Sequence, residues 1–196
     1  MMVPKTLFCE IALKWGTDKA PQLRTYPVTK DMALPSHCYT PTYWELFGHR
    51  RDEIKRVLEI GIYQHGTHFW RECFPNATIY GFDNNPEFLV DEERIKTIYC
   101  DVSSEESLLN AITRVGRGLD LIVDDASHVP AHQILAANTL VPFLAPGGYY
   151  IIEDVGHPDE VIQGLNYKYE LKEFHENEMK NDDDRLIIVR SPYDDN

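Results

Sequence analysis

Short apolar runs alternate with amphipathic stretches through the middle of the chain, over residues 57–153. The apolar runs have the length and the β-branched content of buried strands: residues 57–61, 78–83, 95–100, 119–124 and 149–153. Apolar positions at helical spacing between them predict helices over 67–73, 105–114 and 131–143. Ser103 and Glu106 form a capping-box pattern that would open the second of these helices. The alternation predicts a doubly wound, Rossmann-like, mostly parallel α/β sheet with helices on both faces.

The chain on either side of this region has a different pattern. Residues 7–15 are helical and stop at Gly16, and residues 42–55 are again helical. The stretch between them, to about Pro41, is rich in Pro, Thr, Asp and Lys, which predicts a loop or lid. Two further strands, at 167–174 and 185–190, predict a C-terminal antiparallel hairpin. We divide the chain into an N-terminal helical and lid segment, 1–56, and a main unit, 57–196, within a single domain.

Composition and charge narrow the class of protein. A chain of 196 residues with 43% hydrophobic residues can bury the core of one domain. The formal net charge of −13 argues against a nucleic-acid or anionic-membrane surface, since phosphate contact needs concentrated Lys and Arg. No apolar run is long enough to span a bilayer or to form a signal sequence, so we expect a cytoplasmic protein. The four cysteines form no CxxC pair, which argues against a zinc knuckle or a disulfide framework.

Acidic residues close the strands predicted at 119–124 and 149–153. Asp124 and Asp125 end the first of them, and Glu153 and Asp154 end the second. The carboxyl ends of parallel strands open onto one crevice, so these acids predict an all-oxygen site for a hard cation. His128, three residues after Asp125, could remove the proton of a metal-bound hydroxyl. Two plainer interpretations stay open: Asp124 is as well placed to cap a helix, and a histidine alone is more often a surface or core residue.

The loop after the first predicted strand suggests the kind of ligand. Its glycines, Gly61 and Gly66, have the spacing G-x4-G, which is neither the dinucleotide fingerprint nor a phosphate loop. Glu59 would repel phosphates inside the crevice but could attract a sulfonium or an amino group. Asp83, at the end of the second strand, could accept both hydroxyl protons of a ribose. Asp101, at the end of the third, could meet an adenine amino group.

These landmarks resemble those of the class I S-adenosylmethionine-dependent methyltransferases. The shared positions are Glu59-Ile60-Gly61, Asp83, Asp101 and Pro146-Gly147-Gly148. Further segments resemble one branch of that class, the metal-dependent sugar O-methyltransferases of macrolide tailoring, of the mycinamicin and demethylmacrocin type. They are Lys14-Trp15-Gly16-Thr17-Asp18-Lys19, Tyr39-Thr40-Pro41-Thr42-Tyr43, residues 70–77, Asp124-Asp125-Ala126-Ser127-His128 and Ile151-Ile152-Glu153-Asp154. The resemblance covers residues 14–155, and the ordered set is far more specific than any one motif.

The resemblance implies a class I methyltransferase fold and assigns roles to residues. Mg²⁺ or Mn²⁺ would be bound by Asp125, Glu153 and Asp154, and His128 would be the general base. S-adenosylmethionine would contact Glu59, Gly61, Tyr63, Thr67, Asp83, Asp101, Ser103 and Asp125. The implied activity is O-methylation of a hydroxyl of a sugar or another vicinal-diol small molecule, with no nucleic-acid or membrane partner.

The sequence departs from the family in two places. The family often has consecutive glycines before a Ser in the first loop, where this chain has His65-Gly66-Thr67, and the family's extra N-terminal domain has no counterpart in these residues. Two alternatives are a catalytically inactive protein that binds S-adenosylmethionine or a partner, and a metal-dependent hydrolase on the same fold. The intact acids and His128 argue against the first, and the missing phosphate loop argues against the second. The acceptor, the physiological metal, homo-oligomer formation and the choice between a lid and a subunit contact stay open.

Overall fold

A computed structural model describes residues 6–20, 37–63, 65–174 and 182–194. The strands are β1 (Arg56–Ile60), β2 (Thr78–Asp83), β3 (Asp91–Glu92), β4 (Ile95–Tyr99), β5 (Leu119–Asp124), β6 (Leu144–Ile152), β7 (Tyr169–Glu173) and β8 (Arg185–Arg190). The helices are α1 (Leu7–Trp15), α2 (Thr40–Phe47), α3 (Gly66–Cys73), α4 (Glu105–Val115), α5 (Pro130–Leu140) and α6 (Pro158–Gly164). Short 3-10 turns cover Gly48–Arg50, Pro86–Phe88 and Val141–Phe143.

All eight strands belong to one sheet, in the order β3-β4-β2-β1-β5-β6-β8-β7. The five central strands, from β4 to β6, are parallel, whereas β3, β8 and β7 pair antiparallel with their neighbours. This confirms the predicted doubly wound sheet with a C-terminal antiparallel hairpin. The strand order reverses between β1 and β5, so the loops that follow these two strands diverge and leave a crevice at the carboxyl edge.

Each central strand contributes side chains to both of two cores. Val57 of β1 packs on one face with α1, α2 and α3, and Leu58 packs on the other with α4, α5 and α6. The first face is aromatic, with Phe8 and Phe74 in an edge-to-face contact at 5.5 Å between ring centroids. The N-terminal helices therefore share the core of the sheet.

Several predicted boundaries are wrong, for local reasons. The helix predicted over 42–55 ends at Phe47, since the chain turns there to enter β1. The helix predicted over 131–143 ends at Leu140, because Pro142 lacks the amide that an α-helix would need. The strand predicted at 149–153 already begins at Leu144, as β6, and β3 and α6 were not predicted.

Helix α4 begins at Glu105, as predicted, but Ser103 is not its N-cap. Its N-cap is Ser104, whose Oγ accepts a hydrogen bond from the amide of Ser107. Ser103 instead donates its amide and hydroxyl to Asp101. The central part of the predicted lid, residues 21–36, lies outside the described residues. Among the described helices, none combines the length and the apolar character that a membrane span requires.

Asp120 fixes the start of β1 against β5. Its Oδ2 accepts hydrogen bonds from the amides of Lys55 and Arg56 at 2.7 and 2.9 Å. We expect Asp120→Ala to lower the free energy of unfolding by about 1–3 kcal/mol, because two amide donors lose a charged acceptor. Urea unfolding followed by circular dichroism measures this loss. Asp120→Asn keeps one acceptor oxygen and is the control; an equal loss in both variants would contradict the assignment.

Candidate functional site

The carboxyl edge of the sheet contains two neighbouring cavities. The larger, of about 320 Å³, is lined by residues 17–19, residues of the β1–α3 loop and the acids that follow β5 and β6. The smaller, of about 170 Å³, lies toward the ends of β2 and β4. Gly61, Asp83 and Ala126 line both. The two cavities therefore form one crevice across the reversal of strand order, where this fold binds ligands.

Gly61 lets the two loops that form the crevice approach each other. Its φ is +85°, and a Cβ there would overlap the carbonyl oxygen of Asp125. The amide of Asp125 in turn donates to the carbonyl of Ile60 at 2.9 Å. Only glycine combines this conformation with this contact.

Asp125, His128 and Asp154 come together at the edge of the larger cavity. Each offers one ligand atom, and the three atoms lie within 4.8 Å of one another. Nε2 of His128 lies 3.9 Å from Oδ2 of Asp154, and the His128 side chain is 40% exposed. The acids that the sequence places after two different strands thus converge at one point.

The backbone at this cluster adopts an uncommon conformation. His128 and Asp154 both have φ +53°, in the left-handed region that residues other than glycine usually avoid. Such a conformation costs about 1–2 kcal/mol per residue. Both residues thus keep a strained backbone in which their side chains face each other.

Glu153 points away from that cluster into the protein. It is buried, and its Oε1 accepts a hydrogen bond from the hydroxyl of Tyr43 at 2.5 Å. Its Oε2 is bound by the ammonium group of Lys19. Of the three predicted metal ligands, Asp125 and Asp154 therefore face the cavity with His128, while both oxygens of Glu153 already have protein partners.

Lys19 bridges the acids of β5 and β6. Only 2% of the residue is exposed, and its Nζ lies 2.5 Å from Oδ2 of Asp125 as well as binding Glu153. Burial lowers the pKa of a lysine, but the charges of Asp125 and Glu153 outweigh it and raise the pKa of Lys19 well above its usual range. The ion pairs with Asp125 and Glu153 therefore favour the charged form of Lys19 inside the site.

A second group of residues from the N-terminal part holds Asp154. The hydroxyl of Tyr39 donates to its Oδ1 at 2.6 Å, and Nδ1 of His37 lies 3.3 Å from the same atom. His37 is also 2.7 Å from Oδ1 of Asp184. Tyr39 and Tyr43 are buried core residues whose hydroxyls reach the acids.

Glu59 is a buried acid with an unused acceptor. Nε1 of Trp70 donates to its Oε1 at 3.0 Å, whereas Oε2 has no partner among the described residues. Burial raises the pKa of Glu59 to about 7, although the charge of Lys19 opposes the rise. Because Glu59 lines the larger cavity, it is placed to accept a hydrogen bond from a positively charged ligand.

The remaining predicted cofactor residues divide into two groups. Tyr63, 66% exposed, and Asp83 line the crevice, and the Asp83 oxygens accept the amides of Ile62 and Asn85 at 2.8 and 2.7 Å. Thr67, Asp101 and Ser103 line neither of the two cavities. Thr67 is buried beside Gly81, and the hydrogen bonds from Ser103 lower the pKa of Asp101.

Asp124 has a role that neither interpretation of the sequence anticipated. It is buried, and its Oδ2 accepts a hydrogen bond from the hydroxyl of Tyr150 at 2.9 Å. Burial raises the pKa of Asp124 to about 7. It does not cap α5, whose N-cap is Val129. Asp124 therefore joins β5 to β6 below the site through its hydrogen bond with Tyr150.

No protein-family profile matches the chain. Its sequence is 39% identical over 127 residues to mycinamicin VI 2''-O-methyltransferase of Micromonospora griseorubida, and 36% identical over 127 residues to demethylmacrocin O-methyltransferase of Streptomyces fradiae. Each match covers 61% of this chain and 32% of the relative. The structure superposes on the MycE methyltransferase of mycinamycin biosynthesis, in complex with Mg and SAH, with a TM-score of 0.68 and 28% identity, over 95% of this chain and 55% of that one.

The chain has the class I methyltransferase fold, and over 127 residues its sequence is similar to those of the two O-methyltransferases named above. It spans about a third of the length of the curated relatives that it matches, and about half of the MycE chain.

The raised pKa of Glu59 predicts a stability that falls with pH. Below pH 4.5 the Glu59 carboxyl is protonated in both the folded and the unfolded protein. Between pH 4.5 and about 7 only the folded protein keeps this proton, so the free energy of unfolding decreases as the pH rises through this window. We expect a loss of at most about 3 kcal/mol from this group, at about 1.4 kcal/mol per pKa unit. Glu59→Gln should flatten the profile in metal-free protein.

Urea unfolding at a series of pH values across that window measures the effect. Glu106→Gln, a change at an exposed position of α4, is the control and should keep the wild-type profile. Identical pH profiles for wild type and Glu59→Gln would show that Glu59 does not titrate in this range.

Proposed function

We propose that the protein is an S-adenosylmethionine-dependent and divalent-metal-dependent O-methyltransferase, which acts on a hydroxyl of a sugar or another vicinal-diol small molecule. The observation that carries this proposal is the convergence of Asp125, His128 and Asp154 beside a crevice that continues to Asp83. The relatives are named for sugar and macrolide O-methylation, and structures of MycE contain Mg, SAH and mycinamycin VI. The alternatives, an inactive binding protein and a hydrolase, have no observation in their favour.

The crevice supports binding of S-adenosylmethionine. Gly61 lines both cavities, and the free Oε2 of Glu59 can accept a hydrogen bond from an amino group. Asp83 is placed at the end of β2, where an acid binds ribose hydroxyls in related folds. We assign Glu59, Gly61, Tyr63, Asp83 and Asp125 to the cofactor. For Thr67, Asp101 and Ser103, which line neither cavity, a role in cofactor binding rests on the family resemblance alone.

The acids support a divalent cation. Asp125 and Asp154 offer carboxylate oxygens, the ligands that Mg²⁺ prefers, on the cavity side. Glu153 completes the proposed set: its oxygens are bound by Tyr43 and Lys19, but each carboxylate oxygen has a second lone pair. Three acids against one lysine leave a local excess of negative charge that a divalent ion would neutralise.

The mechanism assigns a separate task to each residue. Bound at these acids, a divalent cation would lower the pKa of a coordinated hydroxyl. S-adenosylmethionine supplies the methyl group as a sulfonium, whose carbon–sulfur bond breaks as the new carbon–oxygen bond forms. His128 removes the hydroxyl proton at Nε2, and the carboxylate of Asp154, 3.9 Å away, stabilises the imidazolium that results. Glu59 and Asp83 orient the methyl donor in the crevice.

The role of His128 predicts a selective loss of rate. We expect His128→Asn to slow methyl transfer by about 100-fold or more, because general-base catalysis contributes that much. Affinity for S-adenosylhomocysteine should change by less than about threefold, since His128 has no part in the proposed cofactor contacts. Release of S-adenosylhomocysteine, measured with Mg²⁺ over a panel of vicinal-diol sugars and catechol, gives the rate, and calorimetry gives the affinity.

His132→Asn is the matched control, because His132 lies in the next turn with its Nδ1 2.8 Å from the hydroxyl of Ser127. It should keep the wild-type rate. An unchanged rate in His128→Asn would remove that residue from the mechanism. Failure of the wild-type protein to bind S-adenosylmethionine, with or without Mg²⁺, would overturn the proposed function as a whole.

A further inference from the structure

We propose that Lys19 is a positioning residue that serves as a built-in cation of the acidic site. Its ammonium group holds Asp125 and Glu153 together without metal, and its charge restrains the affinity of the site for the divalent ion. This inference rests on the metal-binding part of the proposed function. It concerns a residue outside the predicted ligands and the predicted base.

The first support is burial. An ammonium group removed from water is strongly disfavoured unless it is paired. Lys19 is 2% exposed, and its Nζ contacts one carboxylate from the end of β5 and one from the end of β6. The side chain is therefore part of the interior of the site, unlike a surface lysine that happens to lie near an acid.

The second support is the main chain. The carbonyl of Lys19 accepts hydrogen bonds from the amides of Tyr39 and Thr40, both at 3.0 Å, at the start of α2. The carbonyl of Asp18 accepts the amide of His37 at 2.7 Å. These bonds tie the lysine to the same stretch that brings Tyr39 and Tyr43 to the acids. The main chain at Lys19 is thus held in place beside the acids that its ammonium group contacts.

The third support is charge. Asp125, Glu153 and Asp154 carry three negative charges when ionised, and Lys19 neutralises one of them. If Lys19 stays at its place when the ion binds, its positive charge weakens the attraction between the ion and the acids.

The test is a pair of measurements on Lys19→Met, which keeps an unbranched side chain as far as Cε and removes the ammonium group with its charge. We expect the variant to bind Mn²⁺ at least about tenfold more tightly than wild type in calorimetric titration, because a nearby positive charge is lost. In EDTA its melting temperature should fall below that of wild type, and Mn²⁺ should raise it by more than it raises wild type. A merely structural lysine would give lower stability without this gain in metal response.

Two controls accompany the variant. Lys14→Met removes a lysine of the same N-terminal region, paired with Glu72 at 2.6 Å on the surface, and should leave the affinity for Mn²⁺ unchanged. Lys19→Arg keeps the charge and should bind Mn²⁺ with nearly wild-type affinity. If Lys19→Met does not fold in EDTA, recovery of its native circular dichroism spectrum on addition of Mn²⁺ would support the inference, and no recovery would overturn it.

The outcomes separate this inference from the proposed function. Weaker Mn²⁺ binding by Lys19→Met than by wild type would overturn the role of Lys19 and leave the metal site standing. A wild-type protein that binds no Mn²⁺ would overturn both the metal part of the proposed function and this inference. Neither readout requires the methyl acceptor to be known.

Discussion

The organisation of the site depends on the ion pairs between one buried lysine and two acids at the ends of neighbouring strands. Asp125 and Glu153 directly follow the paired ends of β5 and β6, so they lie side by side. Two neighbouring ionised carboxylates repel each other. Lys19 converts this repulsion into attraction, and the hydroxyl of Tyr43 satisfies a remaining oxygen of Glu153. The N-terminal part is thus bound to the sheet by charge at the site as well as by the aromatic core of α1, α2 and α3.

The conformational cost of the site is concentrated where the chemistry is proposed. Gly61, His128 and Asp154 all have positive φ values, and they lie in the loops after β1, β5 and β6. Glycine adopts this conformation without steric cost, whereas histidine and aspartate, which adopt it more often than most other residues, do so at some cost. A strained backbone persists only where surrounding contacts hold it in place. Here those contacts are the pairing of β5 with β6 and the hydrogen bond from Tyr39 to Asp154.

The central strands and the position of the acidic site were predictable from the sequence, because both follow from the apolar runs and from the common direction of parallel strands. Apolar runs located the central strands, and their shared carboxyl edge explains why acids so far apart as Asp125 and Asp154 could be placed together. The contacts of Lys19 and Tyr39 were not predictable this way, because they join residues more than 100 positions apart and have no periodicity. The only signal was that both residues lie in segments that resemble the sugar O-methyltransferases. Cap and turn details, such as Ser104 in place of Ser103, depend on single hydrogen bonds.

Glu153 shows how folding and metal binding are joined in this arrangement. An ionised carboxylate buried there needs a positive partner in the absence of a divalent ion, because a lone buried charge is strongly destabilising. Lys19 supplies that partner from within the chain, so the acids can be placed before any ion arrives. An ion that binds these acids adds its free energy of binding to the stability of the fold, to an extent that grows with its free concentration. A lysine at this point therefore lowers the affinity of the site for the ion, but it keeps the acids in place when no ion is bound.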